Sequence, residues 1–304
     1  MQEAERYGGI GVVGVGDVNG SLNPLTAQYI ARHLTRDLLF LPLVRYDRYG
    51  NPGPALAERW EAVRTTDDSL ALTFCLRSDV RWHDGEPTTA DDVLFTFHRV
   101  FDPRYDHFSA HKFVPYRRAA ERINRHTVRF HLRAHPDFLK PFGEVPIAPR
   151  HLLGHVGPDS IAMHPFGHQP VGNGPFRFLR HVQSHELVLE ANPDFPEALG
   201  GRPYLDRLVF REGTNPYAVR ANLLTGRFHV GYMMKDQIEF PEPLPGFRFV
   251  KSPGSSSVWI AWDTRLPITH GAGSRRVVGS RLNGVEPDAF SIFGSAGRWW
   301  LLPR

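Results

Sequence analysis

The stretch SLALTFCLRSDVRW, residues 69–82, constrains the fold of this 304-residue chain more than any other stretch. Apolar and polar residues alternate along it: one set is Leu70, Leu72, Phe74 and Leu76, and the other is Thr73, Cys75 and Arg77. Successive side chains on a β-strand point to opposite faces, so the alternation predicts a strand with one face in a core and one towards solvent. Such half-buried strands are typical of antiparallel sheets.

A helix is predicted shortly after this strand. Asp84-Gly85 favours a turn, and Thr89 is a good helix N-cap. Asp91 and Asp92 would lie in the first helical turn, where negative charge is favourable. The buried stripe of this helix is predicted from residues at helical spacing: Val93, Phe97 and Val100.

The rest of the chain predicts short strands joined by turns and short helices. Strands are expected in GGIGVVGVGD, HTVRFHLRA, YLDRLVFREG, FHVGYM and SVWIAW, at Leu43–Tyr46, and in a hairpin formed by VGNGPFRFLR and HELVLEANPDF. Helices are expected around Ile30–Leu38, in PALAERWEAV, and in NPYAVRANLLTG, which Gly226 would end. The predicted fold class is α+β (mixed α/β), rich in strands and with mixed pairing.

Composition and charge exclude several classes of protein. Apolar residues make up 41% and charged residues 22%, which is typical of a chain that buries a core. The longest strongly apolar run, LLFLPLV at 38–44, is far shorter than the ~20 residues that span a bilayer. The net charge of +4 comes with scattered arginines rather than a basic block, so no nucleic-acid partner is expected.

The N-terminal stretch MQEAERYGGIGVVGVGD is predicted to be a first β-strand rather than a signal peptide. Its apolar part is interrupted by Gly, lacks Leu and is not followed by a small-residue cleavage site. Three explanations stay open: a mature form, a lost leader, or a protein that stays inside the cell. The single cysteine, Cys75, lies in a predicted strand, where we expect a buried and inert thiol.

The 16 histidines raise the question of a metal site. Five pairs have the i,i+4 spacing that puts two imidazoles on one helix face: His107/His111, His131/His135, His151/His155, His164/His168 and His181/His185. Only His151/His155 is expected on a helix, and none of the pairs carries the Glu of an H-E-x-x-H motif. We therefore predict no metal site.

No motif of an enzyme stands out. A G-x-S-x-G elbow and a phosphate-binding G-x-x-x-x-G-K-[ST] loop are absent from the sequence. A G-x-G-x-x-G match at Gly9, Gly11 and Gly14 leads to no predicted helix, which argues against a dinucleotide site. We expect no enzymatic activity, no catalytic residue and no cofactor.

Turn and aromatic positions are suited to holding a small ligand. The loop VNGSLNP offers backbone donors and two side-chain amides beside a strand end, GEVP sets an acid beside a rigid proline turn, and two tryptophans provide large flat surfaces. The predicted ligand-binding residues are Asn19, Ser21, Leu22, Asn23, Glu144, Val145, Trp259 and Trp262. Core packing stays the alternative for each tryptophan, and a solvated loop acid stays the alternative for Glu144.

Ordered blocks of the sequence resemble a known family. The run PALAERWEAVRTTDDSLALTFCLRSDVRWHDGEPTTADDVLFTFHRVFDP resembles the signature of the extracytoplasmic solute-binding proteins of family 5, the peptide, dipeptide and nickel receptors of ABC importers. Further blocks agree in the right order: SLNP at 21–24, LVRYD at 43–47, VGNGPF at 171–176, NPDF at 192–195 and PYLDRLVF at 203–210. The resemblance covers about residues 8–266. In the VGNGPF block, Gly172 and Gly174 are expected to allow positive φ before a rigid proline.

This resemblance implies a periplasmic-binding-protein-like type II fold. Family members bind a ligand between two lobes that close by hinge motion, and then deliver it to a permease. The sequence departs from the family at Gly226–His229, where the family often has an Asp, and at Pro196, which replaces a Trp. After Ala261–Thr264 the family continues into a helix that begins the second lobe, whereas ITHGAGSRRVVGS follows here.

The departures lead to a prediction for the domains. Residues 1–266 would form the first lobe, with mixed β-sheet and a small extra subdomain inserted at about 50–170. Residues 267–280 would be a seam that replaces the second lobe, largely absent, and 281–304 would be the C-terminal return segment.

The function implied is that of the solute-binding component of an ABC importer for peptides or similar small solutes, truncated and binding weakly or not at all. Its partners would be a small-molecule or oligopeptide ligand and the permease, with membrane contact only through a partner or a lost lipid anchor. The family places it in the periplasm or on the outer face of the membrane. Two alternatives stay open: the ligand-sensing domain of a cytoplasmic sugar-phosphate-responsive transcription regulator, and a non-functional remnant of a deleted gene.

Overall fold

The computed structural model describes residues 7–26, 38–47, 49–66, 68–102, 104, 117–213, 215–233, 247–251 and 259–263. The chain divides into two compact units. The first contains residues 1–19, 179–193 and 202–304, and the second contains residues 20–178 and 194–201. None of the helices within the described ranges combines the length and the apolar character needed to cross a membrane. The domain boundaries predicted from the sequence stay predictions, and residues 267–304 lie outside the described part.

Thirteen strands and four α-helices are described within these ranges. In chain order they are β1 (Ile10–Val15), β2 (Val44–Tyr46), β3 (Pro52–Pro54), β4 (Ala57–Thr66), β5 (Ser69–Leu76), α1 (Ala90–Phe101), β6 (Arg117–Asn124), β7 (Thr127–Arg133), α2 (Arg150–Leu153), α3 (Pro158–Ile161), β8 (Phe176–Val182), β9 (Glu186–Ala191), β10 (Arg207–Glu212), α4 (Pro216–Leu224), β11 (Val230–Met233), β12 (Phe247–Lys251) and β13 (Trp259–Asp263). Short 3-10 turns lie at Lys140–Gly143, Pro165–Gly167 and Glu197–Leu199.

The first unit is built on a seven-stranded sheet in the order β12-β13-β11-β1-β10-β9-β8. The central strand β1 pairs in parallel with β10 and β11. Strand β9 pairs antiparallel with β10, and β13 pairs antiparallel with β11 and β12, so the predicted mixed pairing is confirmed. Helix α4 lies close against this sheet, because a Cβ added at Gly231 would come within 2.7 Å of Val219. Asn215 caps the helix by accepting a hydrogen bond from the Ala218 amide at 2.9 Å, and Gly226 follows it with a positive φ of 70°.

The second unit contains a four-stranded antiparallel sheet in the order β4-β5-β7-β6. Along β5 half-buried and buried residues alternate without a break, as predicted. The buried face of β5 and β7 meets α1 in a cluster of four phenylalanines whose contacting ring centroids lie 4.8–6.0 Å apart: Phe74, Phe97, Phe130 and Phe142. This cluster is the core that holds the sheet to the helix.

The start of α1 confirms the sequence prediction. Thr89 and Asp92 form a capping box, in which the Asp92 carboxylate accepts a hydrogen bond from the Thr89 amide at 2.8 Å. The other carboxylate oxygen of Asp92 accepts one from the Arg150 amide at 2.9 Å. Asp92, the acidic member of the capping box, therefore also fixes the start of α2 to the start of α1.

Two expectations have a different outcome, and a third is not tested by the described residues. The helix expected in PALAERWEAV was wrong, since residues 57–66 form β4, whose mostly exposed strand is held by its pairing with β5. Tertiary pairing here overrides the good helix propensity of Ala, Glu and Arg. The buried state expected for Cys75 was also wrong: the thiol is partly exposed because it lies on the polar face of β5. The helix expected around Ile30–Leu38 falls almost entirely outside the described residues.

Candidate functional site

Asn19 lies in the first unit, in the loop after β1. Its side-chain Oδ1 accepts hydrogen bonds from the Ser184 amide at 2.7 Å and the Ser184 hydroxyl at 3.2 Å. Its Nδ2 donates to Glu212 Oε2 at 3.4 Å, and the carbonyl of Val18 next to it accepts from His181 Nε2 at 2.7 Å. These contacts gather the carboxyl ends of β1 and β10 and the β8–β9 turn. Ligands of open α/β sheets commonly bind at such an edge.

Trp259 and Trp262 lie on β13 in the same unit. They stand opposite Met233 and Val230 of β11, and β12 pairs with the other side of the strand. The backbone thus places both positions on an inner strand of the sheet. The stacking role expected for them stays a prediction.

The loop Ser21–Asn23 lies in the second unit and is closed by its own side chains. Ser21 Oγ accepts a hydrogen bond from the Asn23 amide at 3.2 Å, and Asn23 Oδ1 accepts one from the Leu25 amide at 3.0 Å. The Leu22 amide donates to the Gly167 carbonyl at 2.8 Å. The Leu22 and Asn23 amides, two of the backbone donors that the sequence suggested for a ligand, therefore have partners inside the protein.

The three residues of the Ser21–Asn23 loop differ in how much of their surface is exposed to solvent. Leu22 and Asn23 are fully buried, whereas Ser21 keeps part of its surface. The Asn23 Nδ2 group is buried without a hydrogen-bond partner among the described residues. A buried amide donor without an acceptor destabilises a fold by about 1–3 kcal/mol, so Asn23 is a position where an added acceptor would be favourable.

Glu144 and Val145 follow the 3-10 turn at Lys140–Gly143 in the second unit. Val145 is fully buried, while Glu144 is half-buried. Burial of Tyr46, together with the negative charges of Glu144 and Asp137, raises the pKa of the Tyr46 phenol to about 12. Glu144 is therefore close enough to Tyr46 for its charge to act on the phenol, and its side chain is half-buried. Its ligand-binding role stays a prediction.

The structure brings only some of the predicted residues together. Ser21 and Asn23 are in direct contact, and Leu22, Glu144 and Val145 belong to the same unit. Asn19, Trp259 and Trp262 belong to the other. The side chains of Leu22 and Val145 are part of the core. Of the six predicted residues whose burial the structure describes, Asn19, Ser21 and Glu144 are polar and keep exposed surface, so they remain candidates for ligand contact.

A contact centred on His83 was not singled out from the sequence, although His83 lies in the block that carries the resemblance. Its Nδ1 accepts a hydrogen bond from the Gly172 amide at 3.2 Å, and its Nε2 donates to the Gly174 carbonyl at 3.1 Å. Asn173, between them, is almost fully buried, and its Oδ1 accepts from the Leu41 amide at 2.8 Å. Burial lowers the pKa of His83 to about 4. The ring is therefore neutral and structural near neutral pH.

The reason expected for the two glycines of this loop was wrong. Gly172 and Gly174 do not have positive φ. A Cβ at Gly172 would instead overlap the carbonyl oxygen of Leu39, and one at Gly174 would overlap that of Leu38. Glycine is needed because two backbone segments pass in direct contact.

Several histidines of the i,i+4 pairs contact other groups. His151 Nε2 donates to Asp84 at 2.8 Å, His131 Nε2 contacts Glu121 at 3.1 Å, and His181 holds the Val18 carbonyl. Within the part of the chain that the structure describes, no three His, Cys, Asp or Glu side chains are grouped to hold a metal. His107 and His111 lie outside that part.

Comparison with known proteins gives consistent matches. Over 291 residues the chain is 28% identical to a Brucella ovis protein provisionally named an ABC transporter peptide-binding protein, covering 94% of this chain and 53% of that protein. It is 27% identical to the oligopeptide-binding protein AppA of Bacillus subtilis over 234 residues, covering 75% of this chain and 41% of AppA. The chain thus spans about half the length of the curated relatives it matches.

Solved structures agree with these relatives. The structure of AppA in complex with a nonapeptide superposes with a TM-score of 0.72 at 26% identity, covering 81% of this chain and 48% of AppA. The Helicobacter pylori protein DppA in complex with the peptide STSA gives a TM-score of 0.68 at 25% identity, covering 82% of this chain and 51% of DppA. These superpositions confirm the predicted mixed α+β fold of the periplasmic-binding-protein-like type II class.

The family itself is settled by a sequence profile. The profile described as bacterial extracellular solute-binding proteins, family 5 Middle, matches residues 51–276, well over half of the chain. This span includes the β4–β5 hairpin, α1 and the His83 contact with the loop at 171–175. The chain belongs to the bacterial extracellular solute-binding proteins, family 5.

Proposed function

We propose that this chain is the solute-binding component of an ABC importer for peptides or similar small solutes. The observation that carries the proposal is the family match over residues 51–276. The names of the relatives support it, because the Brucella ovis and Bacillus subtilis proteins are named for peptide binding. The peptide complexes of AppA and DppA support the same ligand class.

The partners follow from this role. The ligand is an oligopeptide or a similarly small solute, and the second partner is the permease that accepts it on the outer face of the membrane. The protein captures and releases its ligand without chemical conversion, so we propose that it is not an enzyme. The described residues give no observation that favours the alternative of a transcription regulator.

Binding by the 304-residue chain alone should be weak. High affinity for a small ligand usually requires that most of the ligand surface be enclosed, and the chain spans about half of its relatives' length. We expect Kd values weaker than micromolar in calorimetric titrations with a peptide library. Micromolar or tighter binding to the isolated chain would rule out the expectation that this chain alone binds its ligand weakly.

A chimera tests the receptor role itself. This chain replaces the part of AppA that it matches, and the rest of AppA supplies the remaining wall. We expect the folded chimera to bind peptides at least tenfold more tightly than the chain alone, as calorimetry would detect. A chimera that unfolds cooperatively but binds no peptide would count against the proposal.

A further inference from the structure

Three charged residues form a cluster across neighbouring strands of the first unit. Glu186 begins β9, and its carboxylate lies between two guanidinium groups. Arg211 of β10, its direct cross-strand partner, donates from Nη2 to Glu186 Oε2 at 3.0 Å. Arg180 of the edge strand β8 donates from Nη2 to the other oxygen, Oε1.

The cluster exposes donors and hides the acceptor. The Glu186 side chain is 7% exposed, whereas those of Arg211 and Arg180 are 39% and 61% exposed. One carboxylate faces two guanidinium groups, so the cluster carries one positive charge in excess. Each guanidinium contacts Glu186 through its Nη2, which leaves the Nη1 group of each arginine as a donor. Arg211 Nε, next to these donors, is buried without a hydrogen-bond partner among the described residues. Donor capacity therefore remains for a further anion.

The cluster lies near the edge of the sheet where ligands of open α/β folds commonly bind. Arg211 is followed by Glu212, which ends β10 and contacts Asn19. Glu186 comes two residues after Ser184, whose amide also contacts Asn19. The cluster therefore lies beside the carboxyl ends of the parallel strands β1 and β10, where open α/β sheets commonly bind ligands.

We propose that Arg180 and Arg211, held in place by Glu186, form an anion subsite for a carboxylate group of the ligand. A planar guanidinium fork recognises a carboxylate through paired N–H···O bonds, and the buried Glu186 keeps the two forks in position. The choice of a peptide carboxylate rests on the proposed function, whereas the anion site itself can be tested without it.

The same strands provide a matched control. Arg207 of β10 is an exposed arginine that stands opposite Glu190 of β9, four residues along the same ladder. The pairing sets one arginine opposite one carboxylate here, whereas Glu186 contacts two arginines. Substitution of Arg207 by Lys changes an arginine of the same sheet and leaves the cluster intact.

The test is an NMR titration of the full chain labelled with 15N in its arginines. The probe is N-acetylglycine, with N-acetylglycinamide, inorganic phosphate and sodium chloride at equal ionic strength in parallel. We expect the Arg211 Nε–H signal, assigned by its loss in Arg211→Lys, to shift with a saturating midpoint on the order of 1 mM. Arg180→Lys should weaken this shift at least fivefold, and Arg207→Lys should leave it unchanged.

Other outcomes would overturn the proposal. They are an equal shift with chloride or the neutral amide, a response to phosphate alone, and a response that persists in Arg180→Lys. Peptide binding by the chimera with an unmoved Arg211 signal would overturn this subsite and leave the receptor role standing. A response of the Arg211 signal to N-acetylglycine, without any peptide binding by the chimera, would support the anion subsite and count against the receptor role.

Discussion

His83 and Gly174, 91 residues apart in the chain, are joined by a 3.1 Å hydrogen bond from the imidazole Nε2 to the glycine carbonyl. The ring also accepts the Gly172 amide at Nδ1, so its neutral form with the proton on Nε2 satisfies both partners. A protonated ring would carry a hydrogen on Nδ1 and lose that acceptor. The turn after β5 and the loop before β8 are thus held by a group that acid can release.

The stability of the second unit should fall as the pH is lowered through the titration of His83. Its pKa is lowered from 6.5 to about 4 in the folded protein, mainly by burial. The unfolded chain therefore binds the proton more readily, and stability present above pH 6.5 is lost as the pH falls towards 4. The loss attributable to this group approaches about 3 kcal/mol, which urea unfolding at a series of pH values would measure.

His83→Gln isolates this effect, because Gln has a donor and an acceptor but does not titrate. Its stability should depend less on pH in the same window. His98, exposed on α1, provides the control, and His98→Gln should retain the wild-type dependence. An unchanged slope in His83→Gln would show that other groups cause the acid sensitivity.

Gly172→Ala should destabilise the second unit by about 2–4 kcal/mol. The added Cβ would overlap the Leu39 carbonyl oxygen, and the backbone of both segments would have to move. Gly157→Ala is the matched control, because a Cβ there meets nothing within 4 Å and φ is −78°. Thermal unfolding of the two variants should differ clearly, and similar Tm values would contradict the close approach.

Asp92→Ala should cost about 3 kcal/mol of unfolding free energy. The buried carboxylate accepts hydrogen bonds from the Thr89 and Arg150 amides, and both donors would lose their partner. Asp91 lies in the same helical turn but is 43% exposed, so Asp91→Ala should cost under about 1 kcal/mol. Denaturant unfolding followed by circular dichroism would compare them. Equal losses would show that helix charge, rather than the buried contacts, sets the effect.

Local patterns predicted most of the described fold. The alternation around Phe74, the Thr89 cap and the Gly226 helix end each depend on neighbours in the chain, and the structure confirms all three. Strand β4 was missed because its side chains are mostly exposed and carry no alternation, so only its partner β5 makes it a strand. The close approach at Gly172 depends on a segment more than a hundred residues away, which local patterns do not contain.

The candidate site was less predictable for the same reason. Leu22 was expected to offer a backbone donor to a ligand, but its amide donates to the Gly167 carbonyl, a distant contact that only the fold provides. The cluster around Glu186 joins three strands and has no sequence motif. The sequence shows only that β8 and β10 each carry an arginine, and the sheet order that places both beside Glu186 is not visible in it.

Asn19→Ala should destabilise the β8–β9 turn of the first unit. Ser184 in this turn has a φ of 54°, which is unfavourable for a residue with a side chain, and the Asn19 side chain holds its amide and hydroxyl. Loss of these bonds should cost about 1–2 kcal/mol and speed hydrogen exchange of the Ser184 amide. Ser184→Gly removes the hydroxyl contact but relieves the backbone, so its net effect should be within about 0.5 kcal/mol. If Asn19→Ala left the exchange rate of that amide unchanged, the turn would be held by the strands alone, and Asn19 would be free to serve a ligand.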